Sequence, residues 1–278
     1  MRRLRQSWQR AILTITVFLL AYNLNDLLRP TGLWRTLRQW SFFAVIGTRN
    51  ILQIALCYLG VACVGYAVPK RAARELGLIA PVGRAFVFAA LSSLPMLLAF
   101  SLSSKLNAKF TLGTLFFLSV LAPFAEEVVF RGYLFGQLYR RAGWSFWPAS
   151  LIVAILFGLG HSYQMITGKL GIDGLLGVIA ITGLGSVFFS WLLVRWQFNL
   201  WVPFAIHCLM NLWWELFSVD QTALGGWLAN LARLATIALA ILLTRYQHLI
   251  WRPVTAEPSR DRDEENHAGD SLFCLGNA

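Results

Sequence analysis

Charge is scarce in this chain. Of its 278 residues only 13% are Asp, Glu, Lys or Arg, about half the ~25% of a soluble globular domain. Acid is scarcer than base, with 13 Asp and Glu against 24 Lys and Arg. Cysteine is nearly absent. Three of the four, Cys57, Cys63 and Cys208, fall in apolar runs and Cys274 stands alone near the end, which excludes a disulfide framework. There is no P-loop, no GxGxxG and no zinc-knuckle spacing, so nucleotide and nucleic-acid folds that depend on them are excluded. The net charge of +11 does not restore a nucleic-acid reading. The basic residues sit at the ends of apolar segments, where membrane topology places them.

What is abundant is apolar. Hydrophobic residues make up 57% of the chain, and the mean hydropathy is +0.59. A membrane-crossing helix needs about 20 apolar residues. Eight candidates follow, near 10–25, 50–68, 85–104, 112–138, 146–162, 174–195, 198–218 and 227–250. The expected fold is an all-α polytopic membrane protein, a bundle of about eight transmembrane helices. The first, AILTITVFLLAY after MRRLRQSWQR, resembles a signal peptide but lacks a small-x-small cleavage site, so it reads as a retained span. An earlier start of the second, near Trp40, would place Arg49 and Asn50 inside it.

The Lys/Arg bias sets orientation. An N-in, C-in arrangement puts Arg10, Lys70, Arg71, Arg74, Arg84, Arg140, Arg141 and Arg195 inside, and leaves Arg29, Arg35, Arg38, Lys105, Lys109 and Lys169 outside. DLLRPTGLWRTLRQW reads as an interfacial amphipathic helix. Three regions result: N-terminal helices and an interfacial segment over 1–110, a helix bundle over 111–250, and a polar tail over 251–278, expected to be disordered and cytoplasmic.

The few intramembrane polar groups carry the chemistry, because each is expensive at bilayer depth. Glu126 and Glu127 are adjacent, and Arg131 lies one turn beyond Glu127. Residues four apart share a helix face, so Glu127 and Arg131 can pair. Glu126 points about 100° away and keeps a free carboxylate, a candidate general base. His161 and His207 lie in later apolar segments, and Asn211 is one turn beyond His207. Glu126 with His161 can hold and activate a water, while His207 and Asn211 can donate to an oxyanion. An alternative makes Glu126, His161 and His207 three ligands of a catalytic zinc with an open fourth position. Taken singly, the ion pair can be a packing lock and either histidine a polar packing contact. Their coincidence in successive segments favours a site.

Glu126-Glu127-x-x-x-Arg131, Phe157-x-x-x-His161 and His207-x-x-x-Asn211 together resemble the three motifs of the CAAX protease and bacteriocin-processing (CPBP, or Abi) family of intramembrane endopeptidases. The resemblance covers about 110–215. It implies an eight-helix fold and hydrolysis of a peptide bond of a membrane-associated protein or peptide, in a bacterial inner membrane. Carried over, Glu126 is the general base and His161 positions the water. His207 and Asn211 form the oxyanion site, and Glu127 and Arg131 support it. The family name implies a metalloprotease, whereas Glu126 with His161 can activate water without one. Two other classes compete. One is a proton- or ion-coupled transporter using the same groups as a relay, against which their clustering in 126–211 counts. The other is a non-catalytic scaffold or immunity protein, whose motif residues would have decayed.

Overall fold

The structure, a computed structural model, describes residues 2–63, 69–168 and 170–247. The tail expected over 251–278 lies outside the described residues, as do Lys169 and Cys274. The chain divides into a compact unit, 1–244, and a second unit, 245–278; the helical bundle is the first. Among the described residues all regular structure is helical.

The N-terminal helices are α1 (Arg2–Tyr22), α2 (Leu24–Leu28), α3 (Leu33–Trp40) and α4 (Phe42–Cys63). The chain bends by 58° between α1 and α2. The break falls at Asn23, whose side chain bonds back to the Leu19 carbonyl at 2.8 Å and so competes with the next backbone donor. The start of α4 corrects the expected second span, which began at 50. Ser41 caps it through Ala44 N–H at 3.0 Å, and Arg49 and Asn50 therefore lie inside the helix. α5 (Pro69–Glu75) leads to α6 (Gly83–Ser92) and α7 (Leu94–Ser103), a pair bent by 45° before Pro95.

The central helix, α8, is continuous over 112–140. Two stretches, Thr114–Leu121 and Glu127–Phe135, are wound with the wider π repeat. Pro123 accounts for the first: it has no N–H to donate and its ring crowds the carbonyl four residues back. A widened turn there absorbs the misfit. Four helices follow: α9 (Phe146–Gly160), α10 (Gln164–Thr167), α11 (Ile172–Arg195) and α12 (Trp201–Leu216). The last is α13 (Trp227–Arg245).

Side-chain contacts fix the directions. Gly47 of α4 meets Phe117 of α8, and Gly60 meets Tyr133, so α4 and α8 run parallel. Phe130 meets Phe157 at 4.9 Å and Phe135 meets Phe146 at 5.8 Å, so α8 and α9 are antiparallel. α1 is antiparallel to α8, with Phe18 against Phe130 and Ser7 bonded to the Ala142 carbonyl. At that end Arg141 Nε bonds Glu75 Oε2 at 3.0 Å.

Among the described residues four helices are long and apolar enough to cross a membrane, or six if each bent pair is one span; eight were expected. The two expected spans that fail the criterion are the motif helices. α8 carries Glu126, Glu127, Arg131 and Arg140, and α12 has 16 residues. Large apolar side chains face outward elsewhere, Leu102 at 86% and Leu184 at 71% exposure among them. Such a surface fits lipid and not water, and the chain is an integral membrane protein.

α9 and α11 pack most closely, through glycine. A Cβ on Gly158 would lie 2.7 Å from the Ile179 carbonyl oxygen, and one on Gly185 would meet nothing within 4 Å. Gly158→Ala should therefore lower the melting temperature of the purified protein, by an overpacking cost of about 1–3 kcal/mol. Gly185→Ala should leave it unchanged or raise it, since alanine favours helix by about 1 kcal/mol. Thermal unfolding in detergent compares the two; equal effects would mean the glycine contact does not set this packing.

Candidate active site

Two helices and one helix end supply the expected site residues. α8 brings Glu126, Glu127 and Arg131. α12 brings His207 and Asn211, and His161 caps the C-terminal end of α9.

α12 is short but held at both ends. At its start, Asn199 Oδ1 accepts from Trp201 N–H at 3.0 Å, Asn199 Nδ2 donates to the Pro81 carbonyl at 3.0 Å, and the Trp201 indole donates to the Leu78 carbonyl at 3.0 Å. At its end, Asn107 Nδ2 donates to the Glu215 carbonyl at 3.0 Å, and the Trp213 indole donates to Ser93 Oγ at 3.1 Å. These bonds satisfy the open backbone groups of a helix end and fix the helix lengthwise. His207 is thereby set at a fixed depth against α8.

The two glutamates have different surroundings. Glu127 and Arg131 are fully buried and 3.2 Å apart, the i,i+4 pair that the sequence predicts. The same oxygen, Glu127 Oε1, also lies 2.8 Å from His207 Nδ1. Because a carboxylate only accepts, Nδ1 carries the hydrogen, and Nε2 is the nitrogen turned outward. Glu126 is the open member: its side chain is 35% exposed, and its Oε2 lies 3.7 Å from His207 Nε2, beyond direct hydrogen bonding. One imidazole thus stands between both carboxylates.

Aromatic rings complete the enclosure. Arg131 Cζ is 4.4 Å from the Phe157 ring centroid and 5.2 Å from that of Phe189, both within cation–π range. Phe189 also stacks on His207 at 5.1 Å. Sequence reasoning does not find Phe189, because one phenylalanine in an apolar helix carries no signal of its own.

His161 is placed differently from expectation. Its Nδ1 is 2.8 Å from the Phe157 carbonyl oxygen, so Nδ1 donates and Nε2 keeps a lone pair. Its ring packs on Phe157 at 4.8 Å, one aromatic layer from Arg131. Among the described residues His161 makes no hydrogen bond to Glu126 or His207. Asn211 is half-buried one turn beyond His207, and no described residue hydrogen-bonds its carboxamide. Among the described residues no three of His, Cys, Asp and Glu gather in a metal-holding group. Glu126 and His207 approach each other, but His161 does not join them, so in this arrangement the three do not fit a three-ligand zinc site.

Comparison with known proteins points the same way as the motifs. The family model described as type II CAAX prenyl endopeptidase Rce1-like matches residues 108–213, a range that contains every residue of the site. A curated protein of Bacillus subtilis (strain 168), named "Putative membrane peptidase YdiL", is 31% identical over 93 residues, which is 34% of this chain and 32% of that one. The chain thus matches about a third of that relative's length. No solved structure matches. Residues 108–213, which carry the three motifs, are thus similar to the Rce1-like, type II CAAX prenyl endopeptidase family.

Proposed function

We propose that the protein is an intramembrane endopeptidase that hydrolyses a peptide bond of a membrane-associated protein or peptide. The observation that carries this reading is the split between the two glutamates. Glu127 is consumed by Arg131 and His207, while Glu126 keeps an accessible carboxylate beside the imidazole. A purely structural ion pair has no use for a second, open acid next to it.

The proposed steps follow from those contacts. Glu126 takes a proton from a water, and the water oxygen bonds to the scissile carbonyl carbon. The Nε2 lone pair of His161 orients that water, since Nδ1 is occupied by the Phe157 carbonyl. Negative charge grows on the former carbonyl oxygen. His207, its Nδ1 held by Glu127, takes up a proton at Nε2 from solvent before the step, donates it in a hydrogen bond to that oxygen, and keeps it throughout. Asn211, on the same face, is the second donor. The C–N bond then breaks, and Glu126 returns its proton to the leaving nitrogen. Arg131 acts through Glu127, holding the carboxylate that holds His207.

We also propose eight crossing segments, N-in and C-in. These are the four long helices, the two bent pairs, and α8 and α12. α12 is short, at 16 residues, and the charged groups of α8 at Glu127 and Arg131 are met inside the bundle. The antiparallel α1–α8 and α8–α9 pairs and the parallel α4–α8 pair fit this order. Arg10, Arg140 and Arg141 fall at one end of it, as an inside surface requires.

Two substitutions separate the glutamate roles. Glu126→Gln should abolish the new membrane-protein termini that appear when the wild type is expressed, with folded yield unchanged. Glu127→Gln should lose about 3–5 kcal/mol of stability, the usual cost of stranding a buried partner charge. Terminal proteomics and thermal unfolding give the two readouts. A stable, inactive Glu127→Gln beside an active Glu126→Gln would reverse the assignment. For topology, a reporter fused after Arg141 should read cytoplasmic and one near Gly168 should read external. An external reading after Arg141 would overturn the eight-segment order.

A further inference from the structure

A cavity of about 550 Å³ opens at the end of the bundle away from Arg10 and Arg141, where α8 begins. One wall is residues 104–109, in the connection from α7 to α8. The other is Phe217 and Ser218, just past α12. Asn107 fastens the two walls together. Its N–H donates to the Leu216 carbonyl at 2.8 Å, and its Nδ2 donates to the Glu215 carbonyl at 3.0 Å. Its Oδ1 accepts from Lys109 N–H at 3.0 Å.

Asn107 is thereby spent on the wall itself, while the other polar side chains of the cavity have no partner in the chain. Lys105 and Lys109 are exposed and form no ion pair among the described residues, and no acidic residue lines the cavity. Among the described residues the hydroxyls of Ser104 and Ser218 make no hydrogen bond. Ser218 adds an independent sign. It has φ +48°, and Val219 N–H returns to the Trp214 carbonyl at 3.1 Å. This is the left-handed position that closes a helix, where glycine is the low-cost residue. A serine there bears a conformational cost. What it adds is a hydroxyl on the cavity wall.

Membrane topology does not explain the lysines. The positive-inside bias accounts for Arg10, Arg140 and Arg141 at one end of the bundle, and Lys105 and Lys109 lie at the other. Two cations and two hydroxyls call for an acceptor-rich anion. Ammonium groups act as point charges and suit a phosphate, whose oxygens accept from several directions. The surroundings indicate which phosphate. Leu106, on the rim, is 68% exposed, and Leu102 and Leu112 on either side are 86% and 83% exposed. Apolar side chains this open beside lysines match the boundary between lipid headgroups and acyl chains.

We propose that the cavity binds the headgroup phosphate of an anionic phospholipid. Lys105 and Lys109 neutralise it, the Ser104 and Ser218 hydroxyls donate to its oxygens, and the acyl chains leave past Leu106. A bound lipid ties the α7–α8 connection to Ser218, and so braces the end of α12 that carries Asn211. The site is independent of the endopeptidase reading.

The test measures lipid binding to the full-length protein in detergent by native mass spectrometry. The probes are dioleoyl phosphatidylglycerol, dioleoyl phosphatidylcholine and inorganic phosphate. The first phosphatidylglycerol should bind about tenfold more tightly than phosphatidylcholine, whose choline cation meets the lysines. Lys105→Gln with Lys109→Gln should weaken that binding about tenfold to thirtyfold, the loss expected for two interfacial cations. The charge-matched pair Lys70→Gln and Arg71→Gln, on α5 at the opposite end, should leave it unchanged. Ser218→Gly should raise the melting temperature without lipid and yet weaken lipid binding; a merely structural role would move only the first. Equal affinity for the two lipids, or equal losses from the two double variants, would overturn the site. A lysine-dependent stabilisation by inorganic phosphate that the lipid does not reproduce would overturn the lipid as its ligand. Unchanged lipid affinity in Ser218→Gly would overturn the role of that serine.

Discussion

One carboxylate oxygen, Glu127 Oε1, holds the centre of this bundle together. It receives Arg131 from its own helix and His207 from α12. Neither Glu127 nor Arg131 retains any solvent exposure, so each would carry a severe desolvation penalty alone. Paired, they still leave all three guanidinium nitrogens without a hydrogen bond. The Phe157 and Phe189 rings cover them instead. Four helices therefore converge on one charge: α8 supplies it, α12 its counter-imidazole, and α9 and α11 its aromatic walls. An ion pair that looks local in the sequence is the point where the bundle closes.

That closure decides what the neighbouring groups are free to do. His207 has one nitrogen fixed by Glu127, so its second nitrogen has a defined direction. Glu126 is the next residue along the helix and cannot reach the same pocket. It stays partly open to the outside of the cluster, beside that second nitrogen. A doublet on a helix thus produces two environments from one residue type. Depth comes from the helix ends: Asn199, Trp201, Asn107 and Trp213 anchor α12, and without them a 16-residue helix could slide along α8.

Much of this was legible in the sequence, for reasons that lie in local geometry. The Glu127–Arg131 contact follows from i,i+4 spacing. The separate environment of Glu126 follows from the helical repeat. The apolar runs gave the helices, because one transfer free energy governs most of them. The contact that matters most was not legible. Glu127 and His207 are 80 residues apart, and periodicity carries no information about which face of α12 meets α8. Sequence reasoning paired His207 with Asn211 as donors and Glu126 with His161. The structure sets His207 between the glutamates and leaves His161 one ring away, bonded to its own helix. The start of α4 was misplaced because Arg49 and Asn50 look like a boundary on hydropathy grounds. Phe189 left no trace at all, since packing rings differ from lining rings only by what they touch.

The same scarcity of charge that defines the chain sorts its polar groups by role. Where burial has to be compensated, a partner is present. Glu75 is bonded by Arg141. Arg233 in α13 is matched by Asn230 at 2.9 Å, the Ala223 carbonyl at 3.0 Å and the Trp214 ring. Glu127 has Arg131 and His207. Glu126 and Arg49 stand apart from that pattern, as helix-borne charges of opposite sign without a strong partner. Glu126 keeps a side chain that is 35% exposed beside His207, whereas Arg49 is half-buried with its Nε unmatched. In the endopeptidase reading proposed above, the partner of Glu126 is the attacking water, which is why its carboxylate stays open while Glu127 is enclosed.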